Sequence, residues 1–235
     1  MHAVGVIGAG QMGAGIAQVS AAAGYHVYLS DIDLAKAEAG KANIANALAR
    51  LVAKDKMGQV EADALMSRIE PVANYEPMAE AGLIIEAATE REDIKRKIFE
   101  AVGKILGDQA VLASNTSSIP ITRLAQSSPD PKRFIGVHFF NPVPVMGLIE
   151  IIRGLATTDA TVDIVRQYGK ALGKQLVFAN DAPGFIVNRV LMPMINEAIF
   201  ALGEGVASIC DIDTACQLGL NHPMGPLTLA DFIGL

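Results

Sequence analysis

The sequence has no tryptophan, only two cysteines and only four histidines among its 235 residues. The two cysteines, Cys210 and Cys216, have no histidine at metal-ligand spacing beside them, which argues against both a disulfide framework and a zinc motif. We therefore expect two buried free thiols in the reducing environment of the cytoplasm, and no catalytic metal. A G-x-S-x-G motif and a P-loop lysine are also missing, so neither a serine hydrolase nor a P-loop nucleotide site is predicted.

Basic residues are not in excess either: the formal net charge is -6, and no basic cluster lies on one helix face. This balance argues against a nucleic-acid partner. No apolar run reaches membrane-spanning length without a charge or a proline, so no membrane association is expected. The chain enters a predicted strand almost at once, which predicts the absence of a signal peptide. With 51% hydrophobic residues, the chain can bury a sizeable core.

A glycine-rich turn follows the first apolar run of the sequence. Residues 3–7 (AVGVI) predict a strand, and an alanine-rich helical pattern begins after Gly8, Gly10 and Gly13. In such a turn the first glycine permits a sharp bend, the second lets a pyrophosphate approach the backbone, and the third lets the helix pack close to the strand. Free N–H groups at the helix N-terminus attract the phosphates. The stretch therefore predicts a dinucleotide site.

A second predicted strand, residues 26–30, ends at Asp31. A carboxylate at this position can accept both hydroxyls of the adenosine ribose and repels a 2′-phosphate, so we predict NAD as the cofactor, with NADP less favoured. Asp31 or Asp33 could instead cap the following helix. We assign the cap to Asp33 and the ribose to Asp31.

Strand patterns alternate with helix patterns as far as residue 178, which predicts an α/β fold with a Rossmann-like, doubly wound, mainly parallel sheet. The later strands are expected at 69–72, 83–88, 111–114, 134–138, 148–152 and 174–178. The helices between them are expected at 34–56, 58–68, 91–106 and 161–172. Beyond Pro183 only helical patterns occur, at 185–202, 208–218 and from 226 onward. We therefore predict a dinucleotide-binding domain at 1–183 and a small helical domain at 184–235.

His138 and Glu150 are the first candidates for catalysis. If residues 134–140 and 148–152 form an antiparallel hairpin about Pro144, these two positions face each other with Cβ atoms about 5 Å apart. The carboxylate could then fix the tautomer of an imidazole that takes a proton from an alcohol. A buried histidine satisfied by a core carboxylate explains the same spacing, and the residues alone leave both interpretations open.

Two further polar residues have simple structural explanations. Ser117 lies just past a strand end, and the local sequence favours it as the cap of a short helix that opens at Pro120. Asn188 lies about one turn into the helix that follows Pro183, where an exposed or helix-bonded amide is the simplest interpretation.

Four segments of the sequence resemble the 3-hydroxyacyl-CoA dehydrogenase family. They are GAGQMGAGIAQ (8–18), SNTSS (114–118), HFFNPVPVM (138–146) with Glu150, and PGFIVNR (183–189). The third segment is the most specific, and the resemblance extends over essentially all 235 residues.

The resemblance implies NAD-dependent oxidation of an (S)-3-hydroxyacyl-CoA, with 3-hydroxybutyryl-CoA as the expected substrate, in fatty-acid or butanoate metabolism. It implies that His138 is the general base and Glu150 its orienting partner, and that Ser117 and Asn188 hold the reacting oxygen and the acyl thioester. Lys54 matches a family lysine near the CoA moiety. The positions implied near the cofactor are Gly8, Gly10, Gln11, Met12, Gly13, Asp31, Glu90, Lys95, Ser117 and Asn141.

The family normally continues, beyond the segment that resembles residues 226–235, with further helices that complete a homodimer and one wall of the site. We therefore expect this chain to stop within a helix. Two other functions fit parts of the same pattern. One is a dehydrogenase of the same fold that acts on a free hydroxy acid or sugar acid, and the other is a dinucleotide-binding protein without catalysis.

Overall fold

The computed structural model describes residues 1–235, which divide into two compact units, Met1–Pro183 and Gly184–Leu235. The first unit contains eight strands: β1 (Ala3–Ile7), β2 (His26–Ser30), β3 (Ile69–Val72), β4 (Leu83–Glu86), β5 (Val111–Ser114), β6 (Phe134–Phe139), β7 (Leu148–Arg153) and β8 (Gln175–Asn180). Its helices are α1 (Gln11–Ala22), α2 (Leu34–Val52), α3 (Gln59–Met66), α4 (Glu92–Gly103), α5 (Ile121–Leu124) and α6 (Asp159–Ala171). The second unit contains α7 (Val187–Gly203), α8 (Ile209–Gly219) and α9 (Pro226–Ile233).

The eight strands form one sheet in the order β3-β2-β1-β4-β5-β6-β7-β8. Neighbouring strands from β3 to β6 run parallel, β7 runs antiparallel to β6, and β8 runs parallel to β7. The predicted doubly wound, mainly parallel sheet is therefore confirmed. The strand order reverses between β1 and β4, and in such folds a crevice for ligands opens there, at the carboxyl ends of the strands.

The core lies between the sheet and the helices that cover its faces. All five residues of β1 are buried, as expected of a central parallel strand covered on both faces. Helix α1 packs Ile16, Ala17 and Ala21 into the core, where their exposed fractions are zero. Helix α2 begins at the predicted cap, because a side-chain oxygen of Asp33 accepts the N–H of Lys36 at 2.8 Å.

Several element ends differ from the prediction, mostly by a few residues. Helix α2 ends at Val52 rather than Lys56, because Asp55 adopts a left-handed backbone (φ 52°) that an α-helix cannot continue through. Helix α7 begins at Val187 rather than Phe185, which is left-handed as well (φ 50°). Helix α6 begins earlier, at Asp159, because the Thr158 hydroxyl caps it.

The last helix does not run to the end of the chain. Helix α9 ends at Ile233, and Gly234 follows in the left-handed conformation (φ 80°) that commonly closes a helix. The expectation that the chain stops within a helix is therefore wrong. The pattern of apolar residues predicts the helix itself. The capping glycine is harder to recognise from the sequence, because only one residue follows it.

The second unit is held together by a buried carboxylate. Asp213 on α8 accepts hydrogen bonds from the N–H groups of Leu227 and Thr228 at 2.8 and 2.9 Å and from the Thr228 hydroxyl at 2.5 Å. These bonds satisfy the N-terminus of α9. Cys210 is exposed and Cys216 is half-buried, both as free thiols, so their expected burial is wrong. The reason is that Asp213 is the only residue of α8 that is buried in this small unit.

Candidate active site

The glycine turn between β1 and α1 is shaped as a backbone cradle. Gly8 is left-handed (φ 100°), and a Cβ there would lie 2.6 Å from the Ala87 carbonyl oxygen. A Cβ on Gly13 would overlap the carbonyl oxygen of Gly8, so only glycine permits this approach of helix to turn. A Cβ on Gly10 would meet no atom within 4 Å, and no side chain caps α1. The first N–H groups of α1, which carries Gln11 and Met12 in its first turn, are therefore not capped by any side chain of the protein.

Asp31 lies beside this cradle, directly after β2. Its Oδ2 accepts the N–H of Ala9 at 2.6 Å, and its Oδ1 accepts the N–H of Ile32 at 2.7 Å. A carboxylate offers about four lone-pair positions, so two remain for the hydroxyls of a ribose. The cradle, the uncapped helix and Asp31 together fit a dinucleotide.

His138 and Glu150 face each other across β6 and β7, in the predicted register. The imidazole Nδ1 lies 2.7 Å from Glu150 Oε2. His138 is 6% exposed and Glu150 is fully buried, so the carboxylate interacts with the ring in a medium of low dielectric. The predicted hairpin is confirmed, and the geometry is that of a histidine whose ring orientation and tautomer a carboxylate fixes.

Glu90 accepts several hydrogen bonds from the turn that carries Ser117. Its Oε1 accepts hydrogen bonds at 2.7 to 3.1 Å from five donors, namely the hydroxyls of Thr116, Ser117 and Ser118 and the N–H groups of Ser117 and Ser118. Partial burial raises the pKa of Glu90, but these hydrogen bonds and the charge of Lys95 outweigh it and hold the pKa below its ordinary value. Glu90 is therefore ionised at neutral pH and restrains Ser117.

Lys95 points into the interior of the unit. Its side chain is 1% exposed, and Nζ lies 2.6 Å from Glu86 Oε2, 3.4 Å from Ser114 Oγ and 3.7 Å from Glu90 Oε2. Sequence reasoning missed Glu86 and Ser114, which complete this buried cluster. A lysine one helical turn into α4 and two polar residues within apolar strands are the signals that could have found it.

Ser117 does not cap α5, so that expectation is wrong. The N–H groups of Ile121 and Thr122 are instead accepted by the two carboxylate oxygens of Asp181, at 2.8 and 2.7 Å. Asp181 lies 60 residues away along the chain, and a carboxylate brought in by the fold satisfies the short helix better than a hydroxyl already bound to Glu90.

The other predicted site residues have no partner in this cluster. Asn141 is exposed directly after β6, in the turn where a cis bond joins it to Pro142. Lys54 is exposed just past the end of α2. Asn188, the second residue of α7, belongs to the second unit and is half-buried there. No three residues among the histidines, cysteines, aspartates and glutamates are grouped so as to hold a metal ion.

The site agrees with what two family models match. The description "3-hydroxyacyl-CoA dehydrogenase, NAD binding domain" covers residues 3–182, and "3-hydroxyacyl-CoA dehydrogenase, C-terminal domain" covers residues 184–235. The chain belongs to the 3-hydroxyacyl-CoA dehydrogenase family. The resemblance seen in the four sequence segments is thereby confirmed.

Individual members of the family cover nearly the whole chain. A 3-hydroxybutyryl-CoA dehydrogenase of Bradyrhizobium diazoefficiens is 51% identical over 232 residues, which are 99% of this chain and 79% of that protein. A probable 3-hydroxybutyryl-CoA dehydrogenase of Bacillus subtilis is 48% identical over 98% of this chain and 80% of its own length. The crystal structure of (S)-3-hydroxybutyryl-CoA dehydrogenase PaaH1 from Ralstonia eutropha has a TM-score of 0.97 at 48% identity and covers 99% of this chain and 82% of that one.

Proposed function

We propose that this protein is an NAD-dependent dehydrogenase that interconverts (S)-3-hydroxybutyryl-CoA and acetoacetyl-CoA. The family match and the names of the relatives at 48% and 51% identity support the reaction and the substrate class. The observation that carries the chemistry is the 2.7 Å contact between His138 Nδ1 and Glu150 Oε2, at the edge of the sheet where the glycine turn also lies. An imidazole held by a buried carboxylate is suited to accept a proton from a secondary alcohol.

In the oxidative direction His138 takes the proton of the substrate 3-hydroxyl. Glu150 keeps the ring in one tautomer and stabilises the imidazolium that results, because its negative charge faces the protonated ring. The hydride on the substrate C3 would go to NAD, which supplies the hydride acceptor when bound. In the reductive direction His138 returns the proton to the 3-oxo oxygen. Ser117 and Asn188 hold the reacting oxygen and the acyl thioester.

The remaining assignments concern binding. The turn of Gly8, Gly10 and Gly13 with Gln11 and Met12 holds the pyrophosphate, and Asp31 holds the adenosine ribose and favours NAD over NADP. Glu90, Lys95 and Asn141 contribute to the part of the site that binds the cofactor. Lys54, an exposed cation just past the end of α2, attracts the phosphates of CoA.

The two units have separate tasks in this proposal: the first binds the dinucleotide, and the second serves substrate binding and dimer formation in a cytoplasmic homodimer. Support for a second copy comes from the surface of the 184–235 unit, which buries few apolar side chains and exposes many large ones. The exposed set is Ile186, Val190, Met192, Ile199, Phe200, Val206, Ile209, Leu218, Leu220, Phe232, Ile233 and Leu235. None of the helices is long and apolar enough to cross a membrane.

Steady-state kinetics with two matched substrates test the proposal. The protein is assayed with acetoacetyl-CoA and with free acetoacetate, each with NADH and with NADPH. We expect efficient reduction of the thioester with NADH and at least about 100-fold lower kcat/KM with the free acid, since the CoA moiety supplies binding energy remote from the reaction. Preference for the free acid would exclude the CoA substrate, and NADH binding without turnover of either would exclude the dehydrogenase.

A further inference from the structure

We propose that Asn115 is a positioning residue of the reaction, because it ties the turn that carries Ser117 to the strand that carries His138. The proposal rests on the dehydrogenase function proposed above. It assigns to Asn115 a role through its neighbours, without contact to the substrate.

The link is a single hydrogen bond between the two strand ends. Asn115 Oδ1 accepts the backbone N–H of Phe139 at 2.8 Å. The ladder between β5 and β6 ends where Ser114 pairs with Gly136, whereas β6 continues through His138 to Phe139. The Asn115 side chain therefore replaces the strand partner that the Phe139 N–H has lost. Phe139 is 2% exposed, so few other acceptors could take its place.

Asn115 itself is fixed from the other side. Its N–H donates to the carbonyl oxygen of Glu86 at 2.8 Å, which continues the pairing of β4 and β5 by one residue. The Glu86 side chain is buried and accepts from Lys95 and from Ser114 on its Oε2. The backbone of Asn115 is thus held by β4, and its side chain forms a hydrogen bond to β6.

The far side of the turn is held by Glu90. Its five donors begin at Thr116, the residue next to Asn115, and include both the hydroxyl and the N–H of Ser117. The turn is therefore restrained at two places: Glu90 fixes Ser117 within the turn, and Asn115 fixes the turn against β6. Of these hydrogen bonds, only that of Asn115 connects the turn to the backbone of Phe139, one residue beyond His138. Reaction rates depend steeply on sub-ångström placement of reacting groups, so this bond bears on kcat.

A double-mutant cycle on kcat tests the role. Asn115→Ala and Ser117→Ala are made singly and together and assayed with saturating acetoacetyl-CoA and NADH. We expect each single change to lower kcat by about 10- to 100-fold, with the KM for NADH within about threefold of the parent value. The double variant should be no more than about threefold worse than Ser117→Ala, because Asn115 acts through the placement of Ser117. Multiplicative losses, or an unchanged kcat in Asn115→Ala, would overturn the proposal.

Two further variants keep the result interpretable. Asn115→Asp retains an acceptor oxygen for the Phe139 N–H. Relative to the parent protein, its decrease in log kcat should be at most half of the decrease in Asn115→Ala. Gln126→Ala removes an exposed amide in the segment that follows the same turn and should leave kcat unchanged. If Asn115→Asp is as slow as Asn115→Ala, the hydrogen bond is not the cause.

Hydrogen exchange measures the link without turnover. In Asn115→Ala, peptides covering residues 114–118 and 138–140 should exchange faster than in the parent protein, while peptides of β1 and β2 stay protected. Unchanged exchange in both segments would overturn the proposal, even in an active enzyme. A parent protein that binds NADH and catalyses nothing would instead refute the proposed function, while the exchange experiment still reports whether Asn115 joins the two strand ends.

Discussion

The Oδ2 atom of Asp31 accepts the N–H of Ala9 at 2.6 Å, so the residue that directly follows β2 also shapes the glycine turn after β1. The carboxylate that we assign to the ribose is thereby hydrogen-bonded to the turn that we assign to the pyrophosphate. If Asp31 binds the ribose as proposed, we expect it to act on cofactor binding in two ways, through its charge and through this contact.

Replacing Asp31 with asparagine removes the charge, and the amide oxygen can still accept one of the two backbone N–H groups that the carboxylate accepts. We expect NADH to bind about 10-fold more weakly and the preference for NADH over NADPH to narrow, because the group that repels a 2′-phosphate is gone. Fluorescence titration with both cofactors measures this. Asp33→Asn, two residues on, keeps the cap of α2 and serves as the control. An unchanged ratio of the two dissociation constants would remove Asp31 from cofactor selection.

Replacing His138 with glutamine removes the proposed general base. We expect kcat for acetoacetyl-CoA reduction to fall by about 10²- to 10⁴-fold, the range that a positioned acid-base group contributes. NADH titration should give the same affinity within twofold. His26→Gln is the matched control. His26 pairs with Glu70 and is the first residue of β2, so it lies at the amino end of the strand, away from the carboxyl ends. Near-normal turnover in His138→Gln would show that another group moves the proton.

Replacing Asp213 with alanine removes the cap of α9 and leaves two N–H groups without their acceptor. We expect a loss of about 1–3 kcal/mol in the free energy of unfolding of the second unit, measured by denaturant titration. Asp211→Ala, at an exposed aspartate two residues earlier on α8, controls for the loss of charge, although Asp211 also accepts from the Ser208 hydroxyl. Equal stability of the two variants would show that the Asp213 contacts contribute little.

The same residue gives a pH dependence of known sign. Burial raises the pKa of Asp213, but hydrogen bonds from Thr228 and Leu227 outweigh it and hold the pKa below its ordinary value. A carboxylate with a lowered folded-state pKa stabilises the fold fully above its unfolded-state pKa of about 3.9, and this contribution is lost as the pH falls through the folded-state value. Asp213→Asn should therefore lose less stability between pH 6 and pH 3 than the parent does.

The apolar surface of the second unit predicts self-association. Light scattering on the eluting protein should give about twice the 24.7 kDa mass of one chain at micromolar concentration. Phe232→Ser replaces a ring that is 77% exposed with a small polar group and should weaken the dimer without unfolding the first unit. A monomeric mass for the parent chain over the whole concentration range would contradict the homodimer.

Much of the candidate site is predictable because its signals are local. The cradle is a run of spaced glycines between an apolar strand and an alanine-rich helix. Asp31 simply ends the next strand. His138 and Glu150 are twelve residues apart about a proline-containing turn, and a two-residue repeat then decides which side chains face each other. The cap at Asp33 needed only the four residues that begin α2.

The errors and omissions in the candidate site involve partners that the fold brings together rather than neighbours in the sequence. Ser117 was expected to cap α5 because it stands next to that helix, yet the cap comes from Asp181. Lys95 was assigned to the cofactor, and its own segment does not identify Glu86 as the partner against which it is buried. Asn115 gives no sign that its amide reaches Phe139, 24 residues away. Side-chain contacts of this kind depend on how the strands and helices pack together, which no local pattern encodes.

The sequence by itself determined the strand and helix succession, the glycine cradle and the facing pair of histidine and glutamate, because each follows from spacing along one or two adjacent elements. Only the tertiary structure decided which polar groups hold the site together. The ends of β4, β5 and β6 become neighbours when the sheet assembles, and buried polar groups there must find partners across it. That requirement, acting over the whole sheet, is why Glu86, Glu90, Lys95 and Asn115 form the support of the site.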